Sequence, residues 1–274
     1  MNDAVRKLVL SRRLTPTQRR IAREVVNRAG EVAYLSAAEL AELAQVSQPS
    51  VTRFAIALGF DGYPSLKRKL RDLAGGDHKP EGAGNDMQQA VRDEMANLGR
   101  LAETLGDMRR VQAAAALLAK SRPLPVLGLR AAAPLAGYFG YFAAKIHPEI
   151  RVLDHGGSML PERLEQAVGS GARAVLAFAL PRYPRELLDA LEEAKRLSMC
   201  VVVITDSPVS PAAERADITL CAAVGSQFVF DLHTAPMVLT MVLLQAMSDV
   251  DPGATQRRLE SFELSASRRH LFVE

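Results

Sequence analysis

The sequence predicts two domains of different class: a small all-α domain carrying a helix-turn-helix pair, then an α/β domain on a parallel sheet with helices on both faces. Three observations carry this. Up to Gly75 the apolar residues recur only at helical spacing. Gly75–Asp86, GGDHKPEGAGND, is glycine-rich and polar with no apolar period, as a linker is. From Leu124, five short aliphatic runs (LPVLGL, EIRVLD, RAVLAFAL, CVVVITD and ADITLCAA) alternate with helical patterns, and such alternation signals a parallel sheet. The expected division is 1–75 for the helix-turn-helix domain, 76–86 for the linker, and 87–274 for connecting helices and the α/β domain.

In the first domain, Ser36 followed three residues later by Glu39 is a capping box, in which two side chains satisfy free N–H groups at a helix start. Leu40, Leu43 and Ala44 give that helix an apolar face, and Gln45–Ser47 reads as a tight turn. The next helix starts near Ser47–Pro49, where proline fits because its missing N–H has no helical acceptor anyway. At about 100° per residue, Val51, Phe54, Ala55 and Leu58 form the buried stripe, and Pro49, Thr52, Arg53 and Ile56 fall roughly opposite. Gly59 stands where a left-handed cap is wanted, with Phe60 as the apolar residue after it.

Beyond the linker, Met87, Val91, Met95, Leu98, Leu101 and Leu105 make one helical stripe, which packs either on the body or on a second chain. The strand runs are apolar throughout, as strands covered on both faces are. The helix after the first strand shows Leu135, Tyr138, Phe139, Phe142 and Ile146, and the one after the third reads RELLDALEEAKRL. Ligands of such sheets bind outside the carboxyl ends of the strands, so the loops of interest are 128–134, 154–161, 181–186 and 205–211.

Composition excludes several classes. With 48% hydrophobic and 24% charged residues the chain has enough apolar content for a packed core. Met1–Leu10 has no secretory pattern. Ala235–Met247 is shorter than the ~20 residues a membrane span requires and reads as a buried helix. Cys200 and Cys221 sit inside apolar runs as small hydrophobes, which fits a cytoplasmic protein. The five histidines lack ligand spacing, so neither a metal nor a cofactor is expected.

The charge is uneven. Residues 1–75 hold 13 Lys and Arg against 7 Asp and Glu, a balance of +6, whereas the remainder carries −3. An anionic partner is therefore expected for the first domain only. Its second helix presents free N–H groups and the positive end of its dipole, and it fits the major groove of double-stranded DNA. Arg53 reaches a guanine edge or a phosphate; Ser47, Gln48, Pro49, Ser50 and Thr52 line the contact; Ile56 meets a thymine methyl or a neighbouring helix. Lys67, Arg68, Lys69 and Arg71 on the following helix add charge, with Lys67 among the expected contacts.

These residues carry a family resemblance. LTPTQRRIAREV, VSQPSVTRFAIALGF and GYPSLK resemble the helix-turn-helix domain of RpiR-type bacterial transcriptional regulators, from about Leu14 to Leu73. The body, about Val111–Val250, resembles the SIS (sugar isomerase) domain that follows it, most clearly in ITDSPVSPAAERAD and FALPRYPRELLDALEEAK. The resemblance implies a three-layer α/β/α sandwich with a five-stranded parallel sheet, a dimer or tetramer, and a non-enzymatic regulator that binds a small metabolite, often a phosphosugar. Where many SIS domains have a Gly-x-Gly-x-Ser loop after the first strand, this chain reads GLRAAAP, keeping Gly128 but placing Arg130, Ala131 and Ala132 after it. Where a Ser-Gly-x-Thr-x-Glu loop follows the third strand, it reads LPRYPRE, with Arg182, Tyr183 and Glu186.

Guanidinium holds carboxylate or phosphate through parallel hydrogen bonds. The arginines therefore suggest a small anionic effector held by Arg130, Arg182 and Ser207 or Ser210, with Tyr183 shaping the pocket. The competing reading pairs both arginines with nearby acids such as Glu186 or Asp206. His155, Gly156, Gly157 and Ser158 either line the same cleft or form a strand-exit loop, and His233 caps or packs at the next helix. A second functional class, a sugar-phosphate isomerase with an accessory helical domain, would need a base and an acid such as Glu186 and His233 at one carbonyl.

Overall fold

The computed structural model describes residues 14–28, 32–33, 35–74, 86–226 and 228–273. The expected linker lies almost wholly outside them. The chain divides into two compact units, one holding the described residues up to Gln89 together with Ser226–Phe230, the other Ala90–Gly225 and the residues from Asp231 on.

Among the described residues, the first unit packs α1 (Pro16–Asn27), α2 (Ala37–Leu43), α3 (Gln48–Ala57) and α4 (Tyr63–Ala74). Each of the first two opens on a reciprocal capping box, Thr15 with Gln18 and Ser36 with Glu39. The turn between α2 and α3 bends at Gln45, whose φ is +52°. In α3 the apolar stripe is buried as the spacing predicts: Val51, Phe54 and Ala55 at 0% exposure and Leu58 at 7%. Gly59 ends the helix at φ +93°. Its N–H donates to Ile56 O, and the Phe60 N–H donates to Ala55 O. That is a Schellman cap, and it turns Phe60 back onto the core. Ile21, Val25, Leu40, Leu66 and Leu70 complete that core. The Tyr63 hydroxyl donates to Leu35 O at 3.0 Å, fixing the start of α4 against the segment before α2.

The second unit is a three-layer sandwich around a parallel sheet of β1 (Leu124–Gly128), β2 (Ile150–Leu153), β3 (Ala174–Ala179), β4 (Cys200–Thr205) and β5 (Ile218–Cys221), in the order β2-β1-β3-β4-β5. One face is covered by α5 (Asp86–Thr104), α6 (Arg109–Lys120), α7 (Ala133–Ile146) and α10 (Thr234–Ser248), whose Leu101, Leu118, Phe139 and Leu243 meet Val126, Leu176 and Ile204. The other is covered by α8 (Met159–Gly169) and α9 (Arg185–Arg196), whose Leu164 and Leu191 meet Leu127, Val175 and Val203. A last helix, α11 (Pro252–Arg268), packs along α7. The central strands β1 and β3 are buried at every residue, whereas the edge strands β2 and β5 are mostly half-buried. Cys200 and Cys221 are half-buried and unpaired. The α5 stripe splits: Leu101 is buried and Leu98 and Leu105 pack on the body, while Met87, Val91 and Met95 are exposed.

One buried polar residue ties the layers together. Ser121, at the end of α6, accepts from the Arg173 and Ala174 N–H groups at 3.0 and 3.1 Å, and its hydroxyl lies 2.9 Å from Pro123 O. Removing that hydroxyl strands buried backbone groups at the entries of β1 and β3, each costing about 1–3 kcal/mol. Ser121→Ala is therefore expected to lower stability by about that amount. In thermal unfolding this is a fall of roughly 2–4 °C per kcal/mol for a chain of this size.

Candidate nucleic-acid interface and effector site

The open face of α3 is short and polar. Gln48, Pro49 and Arg53 are exposed, Thr52 is half-buried, and Ile56 is 55% exposed. Ser47 stands at the N-cap without capping through its side chain. Instead its Oγ lies 2.9 Å from Ser50 Oγ, which also accepts from Arg53 Nη2 at 3.3 Å. Two expected contacts are withdrawn from the open surface. Ser50 is 8% exposed, because it sits four residues before Phe54 on the buried side of the helix. Lys67 is 9% exposed, because on α4 it sits four residues after Tyr63 and three before Leu70.

In the second unit the strand order reverses between β1 and β3, so the loops leaving these two strands flank the crevice at the carboxyl edge. Gly128, expected to face an effector, has a packing role: a Cβ there would meet Ala132 O at 2.6 Å and Ala136 Cβ at 2.7 Å, so the glycine admits α7 against β1. Beyond it, Arg130 opens a short turn (Arg130–Ala132), with Ala131 exposed. Arg130 and Arg182 both stand in the left-handed region, at φ +54° and +68°. For a residue with a Cβ this conformation costs about 1–2 kcal/mol. Both side chains are exposed, and neither takes an ion pair or hydrogen bond among the described residues.

The acids that might have neutralised them are held elsewhere. Glu186, in the first turn of α9, lays its carboxylate against Gly156 in the loop after β2. Asp206, at the end of β4, accepts from the Tyr183 hydroxyl at 2.6 Å and from Thr205 Oγ1 at 3.3 Å. Thr205 also donates to Ser210 Oγ at 3.0 Å, and Ser210 accepts the Ala213 N–H. Ser210 is thus buried and spent on this chain, whereas Ser207 is half-buried and accepts the Val209 N–H. Burial raises the Tyr183 pKa above the ordinary phenol range, helped by the Asp206 bond; burial likewise pushes the Asp206 carboxyl up despite that bond.

His155 is exposed beside Asp154 at 2.6 Å. His233 stands at the N-cap of α10 without capping through its ring. Burial lowers its pKa, opposed by Asp231 and Glu94. The charged groups that act on its ring are Asp231 and Glu94, and Glu186 is not among them. Asp206, expected from the sequence only as a partner for the arginines, holds Tyr183 instead. One buried acid was missed in the sequence. Glu94, on α5, is 7% exposed, accepts from Asn97 Nδ2 at 2.8 Å and lies against Gly225. Its signal was its spacing of seven from Leu101, on the buried face.

The Asp206 geometry yields a pH test. Its folded pKa lies above the unfolded value of about 3.9, so ionisation costs stability, and the cost grows as pH rises from the unfolded to the folded pKa. Asp206→Asn cannot ionise. In urea unfolding across pH, the stability of D206N relative to wild type is expected to increase through this window and then level off.

Comparison with known proteins agrees with this architecture. Residues 9–74 match the model of the helix-turn-helix domain, rpiR family, and residues 117–246 match that of the SIS domain. The chain is 26% identical over 263 residues to the HTH-type transcriptional regulator HexR of Pseudomonas aeruginosa, covering 91% of this chain and 88% of that protein. Among solved structures, the Vibrio vulnificus NanR protein complexed with ManNAc-6P matches 98% of this chain and 99% of its own at TM-score 0.63 and 16% identity. The sugar isomerase domain of an RpiR transcription factor from Sphaerobacter thermophilus matches 64% of this chain and 98% of its own at TM-score 0.58 and 23% identity. At these identities the two structures bear on the fold alone. With an rpiR-family helix-turn-helix domain at its amino end and a SIS domain behind it, the chain belongs to the RpiR-type transcriptional regulators.

Proposed function

We propose that this regulator binds a double-stranded operator through the open face of α3 and responds to a small anionic metabolite, a sugar phosphate or carboxylate, at the crevice between β1 and β3. The observation that carries the effector reading is the pair Arg130 and Arg182: two exposed, unneutralised guanidiniums in strained conformations on the two loops flanking the switch point. Strain of this kind persists where surrounding structure enforces it, and it concentrates at ligand sites. That NanR was solved with ManNAc-6P supports the same ligand chemistry here. The Tyr183 ring, next to Arg182, and Ser207, just beyond β4, complete the proposed contact set. The chain acts as a homo-oligomer in the cytoplasm, so that paired helix-turn-helix domains meet two half-sites, and the exposed Met87, Val91 and Met95 stripe is available for that pairing. A regulator rather than an isomerase is supported by the helix-turn-helix domain and by relatives named as transcriptional regulators.

Effector and DNA are coupled because an effector that prefers one arrangement of the protein shifts the population toward it. Arg53→Ala is expected to weaken operator binding in fluorescence anisotropy while leaving thermal stability almost unchanged. Loss of a base contact worth about 1–3 kcal/mol would be confined to operator sequence. Loss of a phosphate contact would be uniform across sequences and would reduce the salt slope by about one. For the effector, Arg130→Gly and Arg182→Gly are expected to weaken calorimetric binding of a sugar phosphate while each stabilises the fold by up to about 1–2 kcal/mol through relieved strain. The alanine variants should lose affinity without that gain. Unchanged affinity in all four removes the arginines from the site.

A further inference from the structure

A second cluster of cations surrounds a cavity far from the sheet's carboxyl edge. The cavity, about 270 Å³, lies between α7 and α11 and is lined by Lys145, Arg258, Ser261, Phe262, Ser265 and Arg269, with no acid among its walls. None of its three cations takes an ion pair among the described residues. Lys145 Nζ is held over the Phe262 and Tyr141 rings at 4.2 and 4.4 Å from their centroids. Arg269 Nη2 donates to Ser265 Oγ at 2.7 Å. Arg258 Nη2 donates to His147 O at 2.7 Å, capping the end of α7, while its Nε–H is buried with no acceptor.

We propose that this cavity is an anion site separate from the β1/β3 crevice, taking a compact oxyanion, the phosphate or carboxylate group of a small metabolite. Three positive charges converge on one concave space without a counter-charge, and guanidinium and ammonium groups in that setting recruit oxyanions. The Ser261 and Ser265 hydroxyls supply neutral hydrogen bonds beside the charges. Size selects a small ligand, since the volume lies just under the roughly 300–1,000 Å³ of drug-sized sites. The two sites are distinct. α7 starts at the carboxyl end of β1 and runs back for 14 residues, so at 1.5 Å per residue they lie about 20 Å apart along it.

The test is calorimetric titration of the full chain with inorganic phosphate at low ionic strength, in an Arg130→Ala, Arg182→Ala background that removes the crevice arginines. That background is expected to retain phosphate binding, and adding Lys145→Met and Arg269→Ala, with Arg258 kept to cap α7, is expected to weaken it at least tenfold. Ser261→Glu in the same background, placing a carboxylate among the cations, is expected to abolish phosphate binding and raise the thermal midpoint. Absent binding in the background, or affinity unmoved by both changes, overturns the proposal. So does a matching loss of duplex DNA affinity in the Lys145, Arg269 variant, which would assign these cations to nucleic-acid phosphates. Because the crevice arginines are absent throughout, failure here leaves the effector reading of that crevice untouched.

Discussion

A parallel sheet covered on both faces leaves only its ends for chemistry. Alternate residues of β1, β3 and β4 feed two separate cores, Val126, Leu176 and Ile204 on one side and Leu127, Val175 and Val203 on the other. No side chain of these central strands remains to meet a ligand. A ligand met by the sheet itself must be held by the loops where the strands end, at the opening where the strand order reverses. There the backbone takes two left-handed turns at arginine, a residue that gains nothing from that conformation. A polar chain from Tyr183 through Asp206 and Thr205 to Ser210 braces the neighbouring strand ends. This edge is thus held by side-chain hydrogen bonds on the β4 side and carries two exposed arginines on the β1 and β3 side.

The helix-turn-helix unit obeys a comparable constraint on a smaller scale. Ten residues of α3 must bury Val51, Phe54 and Ala55 while leaving one face open. The left-handed Gln45 sets the entry to the helix and Gly59 its exit. With both ends fixed, the rotation of the helix about its axis is fixed too, and Pro49, Arg53 and Ile56 stand outward as a consequence of what is packed inward. A helix face selected by the core in this way is hard to alter without unfolding the unit.

How much of this was readable in the sequence follows from the range of the interactions. The Ser36–Glu39 box, the Gly59 cap, the α3 stripe and the five aliphatic runs are local patterns, and the fold repeats them. Features that depend on distant partners were not readable. Gly128 looked like the remnant of a phosphate loop, but its necessity comes from Ala132 and Ala136 of the helix above it. Tyr183 meets Asp206, 23 residues on, through the pairing of β3 with β4. Glu186 turns to Gly156 rather than to either arginine. Ser50 and Lys67 lie at the margin of a helical stripe, where a rotation of a few tens of degrees decides between core and surface. Glu94 lies seven residues before Leu101, on the buried face, but an acid there does not stand out as part of an apolar stripe.

DNA binding through α3 and anion binding at the Arg130 and Arg182 loops, as proposed, are coupled within one chain. The most direct measurement is operator affinity of the full chain across a titration of the small phosphorylated ligand that co-purifies with it or binds it best. The account predicts a midpoint of DNA binding that moves with ligand concentration and saturates with occupancy of the crevice. An operator midpoint that stays constant while calorimetry registers a filled crevice would contradict it.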